Sequence, residues 1–185
     1  MAKIKRSPVV KGGKLPTIFL RYLILIAVAF PGLWLFYTIF TPLTVYPVHF
    51  ILGLFYNSIM LTSATFLVND VPIELIKACI AGSAYYLLLI FNLSTPGIKI
   101  KTRINAILFS FAAFLVLNII RIIILSSLAV SGSPYLDVTH SLFWYGLSTF
   151  IVVGIWFAEV KMFKIKEIPL YSDLKSIYKV SHLKK

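Results

Sequence analysis

The chain has a single cysteine, three histidines, six acidic residues and only 13% charged residues among 185. One cysteine excludes an internal disulfide and hence a disulfide-stapled secreted domain. The histidines, His49, His140 and His182, are scattered and form no His-Glu-x-x-His motif, which counts against a zinc-dependent membrane hydrolase. No metal or other cofactor is implied. Soluble domains carry roughly a quarter charged residues, and what replaces them here is apolar: 59% of the chain, with a mean hydropathy of +0.93. Such a composition excludes a disordered chain or a coiled coil. Apolar runs recur at about 20 residues, the length a bilayer requires, so the sequence predicts an integral membrane protein.

The formal net charge of +12 would suggest nucleic acid binding in a soluble protein, but the positions of the basic residues give it another meaning. Lys3, Lys5, Arg6, Lys11, Lys14 and Arg21 lie at the N-terminus, Lys99, Lys101 and Arg103 in the middle, and seven more from Lys161 to Lys185. Basic segments flanking apolar runs mark the cytoplasmic side, so nucleic acid is not an expected partner, whereas membrane lipid is. The first apolar stretch is too long for a cleavable signal peptide and is expected to remain as an anchor.

Five apolar stretches are visible, at 17–40, 47–61, 78–93, 105–130 and 140–160. Five crossings would separate the basic segments, whereas removing 47–61 puts all three on one side. That stretch is short and carries Pro47, His49 and Asn57, which fits a helix lying in the outer interface. The expected fold is therefore an all-α integral membrane bundle of about four transmembrane helices, with an extra outer interfacial helix and a short external lid segment. It comprises a basic cytoplasmic N-terminus at 1–16, a single transmembrane domain at 17–160 and a basic cytoplasmic tail at 161–185. The external segments hold Asp70, Glu74 and Asp137 but only one basic residue, Lys77. Residues 61–76 read as a short hairpin or an irregular lid.

An ionisable residue inside a membrane span is costly, so Arg121 requires a reason to be there. Sixteen residues beyond Asn105, it stands about 24 Å above the cytoplasmic face. Cys79, fourteen residues before Leu93, stands roughly 21 Å above the same face. His140 opens the last helix at its outer end. A helical stripe of Cys79, Gly82, Ser83 and Tyr86 is small and polar, Asn118 shares a face with Arg121, and Asp137 precedes His140 by three residues. Each has a plainer reading. A cysteine can fill space, Gly82 and Ser83 can permit close helix packing, a histidine can anchor at the interface and an arginine can snorkel to headgroups. Together, a thiol, an imidazole and a guanidinium at one depth supply the nucleophile, proton carrier and fixed charge of acyl transfer.

These residues resemble a known family. Cys79-Ile80-Ala81-Gly82-Ser83 opening a helix, Asn118-Ile119-Ile120-Arg121 near the end of the next, and His140 with Gly146 beginning the last are similar to the exosortase and archaeosortase family. The small size and the Ala-Gly-Ser-Ala-Tyr-Tyr run after the cysteine are most similar to its short archaeal, pacearchaeosortase-like branch. The resemblance covers roughly residues 45 to 155. Two residues separate Cys79 from Gly82, where the family usually has one. The resemblance implies a membrane-embedded cysteine transpeptidase acting on surface proteins that carry a C-terminal sorting signal: a short motif, a transmembrane helix and a basic tail. It implies Cys79 as nucleophile, His140 as acid/base and Arg121 as stabiliser of the charged intermediate, with Gly82, Ser83, Tyr86, Asn118 and Asp137 in supporting positions. The competing expectation is a non-enzymatic transport or scaffold subunit in which Arg121 and His140 line a polar path.

Overall fold

The computed structural model describes residues 14–30, 32–165 and 169. The expected cytoplasmic segments at 1–16 and 161–185 therefore lie largely outside the described residues. The chain is mostly helical. Helix α1 (Lys14–Ala29) leads through a turn into α2 (Trp34–Gly53). A three-stranded antiparallel sheet follows, β1 (Ser58–Met60), β2 (Thr65–Val68) and β3 (Val71–Glu74), in the order β1-β2-β3. A single helical turn, α3 (Lys77–Ile80), precedes α4 (Gly82–Leu93), and the long α5 (Ile100–Val130) comes next. The last helical run comprises α6 (Leu136–Leu142), a π-helical turn at Phe143–Leu147 and α7 (Ser148–Met162).

Three expectations need correction. The fold is mostly helical, but it is not helical throughout, because residues 58–74 form a small three-stranded sheet. The separate interfacial helix at 47–61 does not exist: residues 47–53 finish α2 and 58–60 form β1. Nor is 17–40 one helix, since Gly32 and Leu33 both adopt left-handed φ angles, 63° and 61°, that interrupt it. Pro47 sits inside α2 along with Pro42, each removing one backbone hydrogen bond without ending the helix. The lid at 61–76 is the hairpin alternative. Asn69 and Asp70 supply the two left-handed residues of a tight β2–β3 turn, and the Asn69 side chain accepts a bond from the Asn57 amide at 3.0 Å.

The sheet is tied to the helices by its buried face. Phe66 and Val68 of β2 are fully buried with Val45, Val48 and Leu52 of α2, and Ser58 Oγ lies 2.8 Å from His49 Nδ1. Below the sheet, Tyr85 of α4 stacks on Phe40, with ring centroids 3.6 Å apart, and meets Phe111 and Phe114 of α5 edge-on. The helices alternate in direction around this aromatic centre. Tyr86 donates to the Leu25 carbonyl while Arg21 donates to that of Leu93, so α1 and α4 are antiparallel. Arg121 reaches Ser148 while Phe109 meets Phe163, so α5 and α7 are antiparallel as well. Trp34–Gly53 and Ile100–Val130 are each long and apolar enough to cross a membrane, and Pro16–Ala29 and Lys77–Leu93 are shorter apolar helices. Large apolar side chains such as Phe19, Phe50, Leu108 and Phe157 point outward, the arrangement a lipid solvent favours.

Two arginines of the basic segments expected on the cytoplasmic side, Arg21 and Arg103, are buried. Arg103 donates to the carbonyls of Asn92, Leu93 (3.2 Å) and Thr95 (2.8 Å), and Arg21 shares the Leu93 carbonyl at 3.0 Å. The last carbonyls of a helix have no partner within it, and these guanidinium groups supply one for α4. Beside them, Asn92 donates to the fully buried Glu159 at 3.1 Å. Arg103→Ala is expected to lower stability by about 2–4 kcal/mol, since it strips charge-assisted bonds from buried carbonyls. The exposed Lys101 replaced by alanine should shift stability by less than about 0.5 kcal/mol. Thermal unfolding of the two variants in detergent micelles checks both values.

Candidate functional site

The break between α3 and α4 sets the position of the cysteine. Ala81 adopts a left-handed φ of 57°, so the chain turns out of α3 and restarts as α4 at Gly82. A non-glycine residue pays for that conformation, and close packing on the following residue accompanies it. A Cβ on Gly82 would lie 2.9 Å from the Tyr37 ring, so the glycine admits α2 against the break. The Lys77 ammonium sits 5.6 Å from the centre of the same ring. On the other side Asn118 donates to the Cys79 carbonyl at 2.9 Å. The one-turn helix carrying the thiol is thus held from α5 through its backbone.

Beside this turn lies a cavity of about 500 Å³. Cys79, Arg121 and His140 line it, together with Glu74, Ser126 and Ser141; its apolar wall includes Ile73, Leu75, Ile122 and Leu125. The three residues expected to share a depth therefore share one chamber, each from a different element: α3, α5 and α6. The Arg121 guanidinium and the Glu74 carboxylate bring opposite charges to the lining that Cys79 shares. Arg121 is 8% exposed and spends one N–H on Ser148 Oγ at 3.2 Å, while its Nε has no partner among the described residues. Ser148 in turn donates to the Phe143 carbonyl. This bond closes the wide π-helical turn that separates His140 from α7, a turn type that recurs at functional sites.

The supporting residues divide. Asn118 positions the cysteine backbone but is not part of the cavity wall. Gly82 serves helix packing, as just described. Ser83 is exposed, and Tyr86 turns to α1, where its hydroxyl meets the Leu25 carbonyl at 3.1 Å. The expected stripe of Cys79, Gly82, Ser83 and Tyr86 fails as a single face because the left-handed Ala81 rotates α4 away from α3. Asp137 is exposed on α6 and lies outside the cavity lining. Gly146 falls in the π-helical turn, where an added Cβ would meet nothing within 4 Å. Ser148 was not expected at the site, and the run from Pro72 to Ile76, expected only as part of a hairpin or lid, lines the cavity. No spacing marks Ser148, whose reach to Arg121 arises from the π turn. Among the described residues, no group of three or more His, Cys, Asp or Glu is placed to hold a metal ion.

A scan against protein-family models and searches of curated proteins and of solved structures find no match. The chemistry of the site therefore rests on its own geometry. Arg121→Ala removes the permanent cation from the cavity wall, so alkylation of Cys79 by iodoacetamide at neutral pH should slow severalfold, because a nearby cation favours the reactive thiolate. Arg121→Lys should fall between. Rates followed by intact mass spectrometry check this, and an unchanged rate in the alanine variant would show that the charge is not felt at the sulfur.

Proposed function

We propose that this chain is a membrane-embedded cysteine peptidase or transpeptidase of the exosortase and archaeosortase type. The observation that carries the reading is the buried Arg121 guanidinium, with donor capacity left over, opening into the same cavity as the chain's only thiol and His140. A permanent charge held this way in a low-dielectric setting stabilises a developing oxyanion. In this reading α1 and α2 together make one interrupted crossing; α3–α4, α5 and the α6–α7 run make three more. Both termini are then cytoplasmic, and the cavity with its sheet faces outside at the membrane boundary. This topology puts the basic segments on one side, in keeping with the positive-inside rule.

The substrate is a surface protein whose C-terminal sorting signal includes a transmembrane helix, which delivers the cleavage site to the cavity. His140 takes the proton of the Cys79 thiol, the thiolate attacks the scissile carbonyl, the tetrahedral oxyanion forms beside Arg121, and the C–N bond breaks as His140 passes that proton to the departing amine. The surface protein is then held as a thioester. A hydroxyl of a lipid headgroup or another acceptor, deprotonated by His140, attacks the thioester to form an ester and return the thiol; water in its place gives a carboxylic acid. The transport or scaffold reading has less support, because a polar path leading inward from Arg121 and His140 would have to pass the packed rings of Phe40, Tyr85, Phe111 and Phe114.

In cells producing the Cys79→Ser variant, surface and secreted proteins should retain C-terminal tails that the native chain removes, as read by mass spectrometry of their C-termini. Unchanged C-termini in a well-expressed variant would overturn the proposal. Arg121→Lys should reduce processing by at least about tenfold, because a compact ammonium does not reproduce the planar fork of guanidinium. An impermeant maleimide added outside should label Cys79 but not a cysteine placed at Lys101; external labelling of the latter would exclude the four-crossing arrangement.

A further inference from the structure

One wall of the cavity that Cys79 lines is a β-strand at the end of the sheet. β3 is the terminal strand of the sheet, and Pro72 to Ile76, together with Cys79, line the chamber. The pairing determines which backbone groups face that edge. Val71 and Ile73 stand opposite Val68 and Phe66, and Leu75 donates to the Ala64 carbonyl at 2.8 Å. Alternate residues of an antiparallel strand point their N–H and C=O to opposite sides, so Val71, Ile73 and Leu75 address β2 while Pro72 and Glu74 address the open edge. Pro72 has no N–H to offer there, and its position costs the sheet no hydrogen bond. What remains is the Pro72 carbonyl and both backbone groups of Glu74.

We infer that the open edge of β3 receives the substrate as an added β-strand, with Glu74 N–H and C=O pairing to its backbone and so presenting an extended peptide to Cys79. The inference rests on the peptidase reading and specifies how that site recognises its substrate: through main-chain bonds to an extended segment rather than through a deep side-chain pocket. The occupant is argued from the chemistry of the wall. An extended peptide has the alternating donors and acceptors that Glu74 complements, whereas a lipid chain has none. The sheet also restricts this pairing. Pro72 removes a donor from the edge, and the strand is only four residues long, so it discourages indiscriminate strand addition while leaving a short docking step next to the nucleophile.

The test uses the full chain in lipid nanodiscs and two electrophiles. One is iodoacetamide; the other is a mixture of randomised pentapeptidyl chloromethyl ketones, from which the Cys79 sulfur displaces chloride to form a thioether. The peptidyl-to-iodoacetamide rate ratio corrects for any change in thiol reactivity. Glu74→Pro removes the edge-facing N–H, and Ile73 before it already lies in an extended strand, the conformation a following proline favours. The ratio should fall about tenfold and should fall less in Glu74→Ala, which keeps the N–H. With the native chain, N-methylation of the peptide mixture at successive positions should slow labelling at alternate nitrogens only. An unchanged ratio in Glu74→Pro, an equal loss in Glu74→Ala, or no alternation in the N-methyl series would each overturn strand addition. Normal C-terminal processing in cells carrying Cys79→Ser would overturn the peptidase reading and this inference with it. Thiol-dependent processing without a peptidyl preference would overturn this inference alone.

Discussion

Lipid supplies no hydrogen bonds, so every helix end within the hydrocarbon has to find its partners inside the protein. In the proposed four-crossing arrangement that constraint would be most severe at α4, twelve residues long and thus about 18 Å, shorter than a hydrocarbon core of roughly 30 Å. Its C-terminal carbonyls are taken up by Arg103 and Arg21. At its other end the chain turns through Ala81, and the Cys79 carbonyl is taken up by Asn118. The neighbouring helices can be read from these requirements. α5 carries Arg103 near one end and Asn118 farther along; α1 approaches close enough for Arg21 to share the clamp. The cysteine stands where it does because α4 begins late.

The same constraint links the two ends of the molecule. Glu159 and Asn92 add a buried polar pair beside the arginine clamp, while Ser148 holds Arg121 at the cavity, and both Ser148 and Glu159 belong to α7. The apolar centre between them is nearly all ring: Phe36, Phe40, Tyr85, Phe111 and Phe114. Polar chemistry is thus confined to two levels, separated by a packed aromatic layer. Such an arrangement keeps the ionisable groups at the cavity, Arg121 and Glu74, apart from Arg21, Arg103 and Glu159 at the other level.

Much of the site was legible because helical rise is a dependable ruler. Counting along two apolar runs brought Cys79 and Arg121 to similar depths, and the interruption near residue 135 put His140 at the same end. What could not be counted was rotation. The left-handed Ala81 leaves no mark in composition, and it dissolves the stripe that uninterrupted periodicity would draw through Gly82, Ser83 and Tyr86. The residues at 47–61 misled for a related reason: prolines that punctuate soluble sequences are tolerated within α2. Short strands in an apolar setting lack the polar alternation that would announce them, so only the Asn69-Asp70 turn hinted at a sheet. Positive charge near an apolar run was a poor indicator of exposure, since Arg21 and Arg103 spend their charge on buried carbonyls.

One consequence of the α6–α7 run concerns length. Ser148 and Glu159 are anchored to partners about 16 Å apart along a single helix, so inserting or removing one residue between them would turn one anchor by about 100° away from its partner. The segment just upstream is different. A π-helical turn winds more residues into each turn than an α-helix, and shortening Phe143–Leu147 by one would let the turn tighten without disturbing α7. His140 would then keep nearly the same angular setting relative to Ser148 and Arg121, because the π turn fits its extra residue into almost the rotation that an α-helix makes without it. In a lineage of such chains, α7 would resist changes of length while the π turn recorded them, and the angular setting of the histidine would be the quantity inherited.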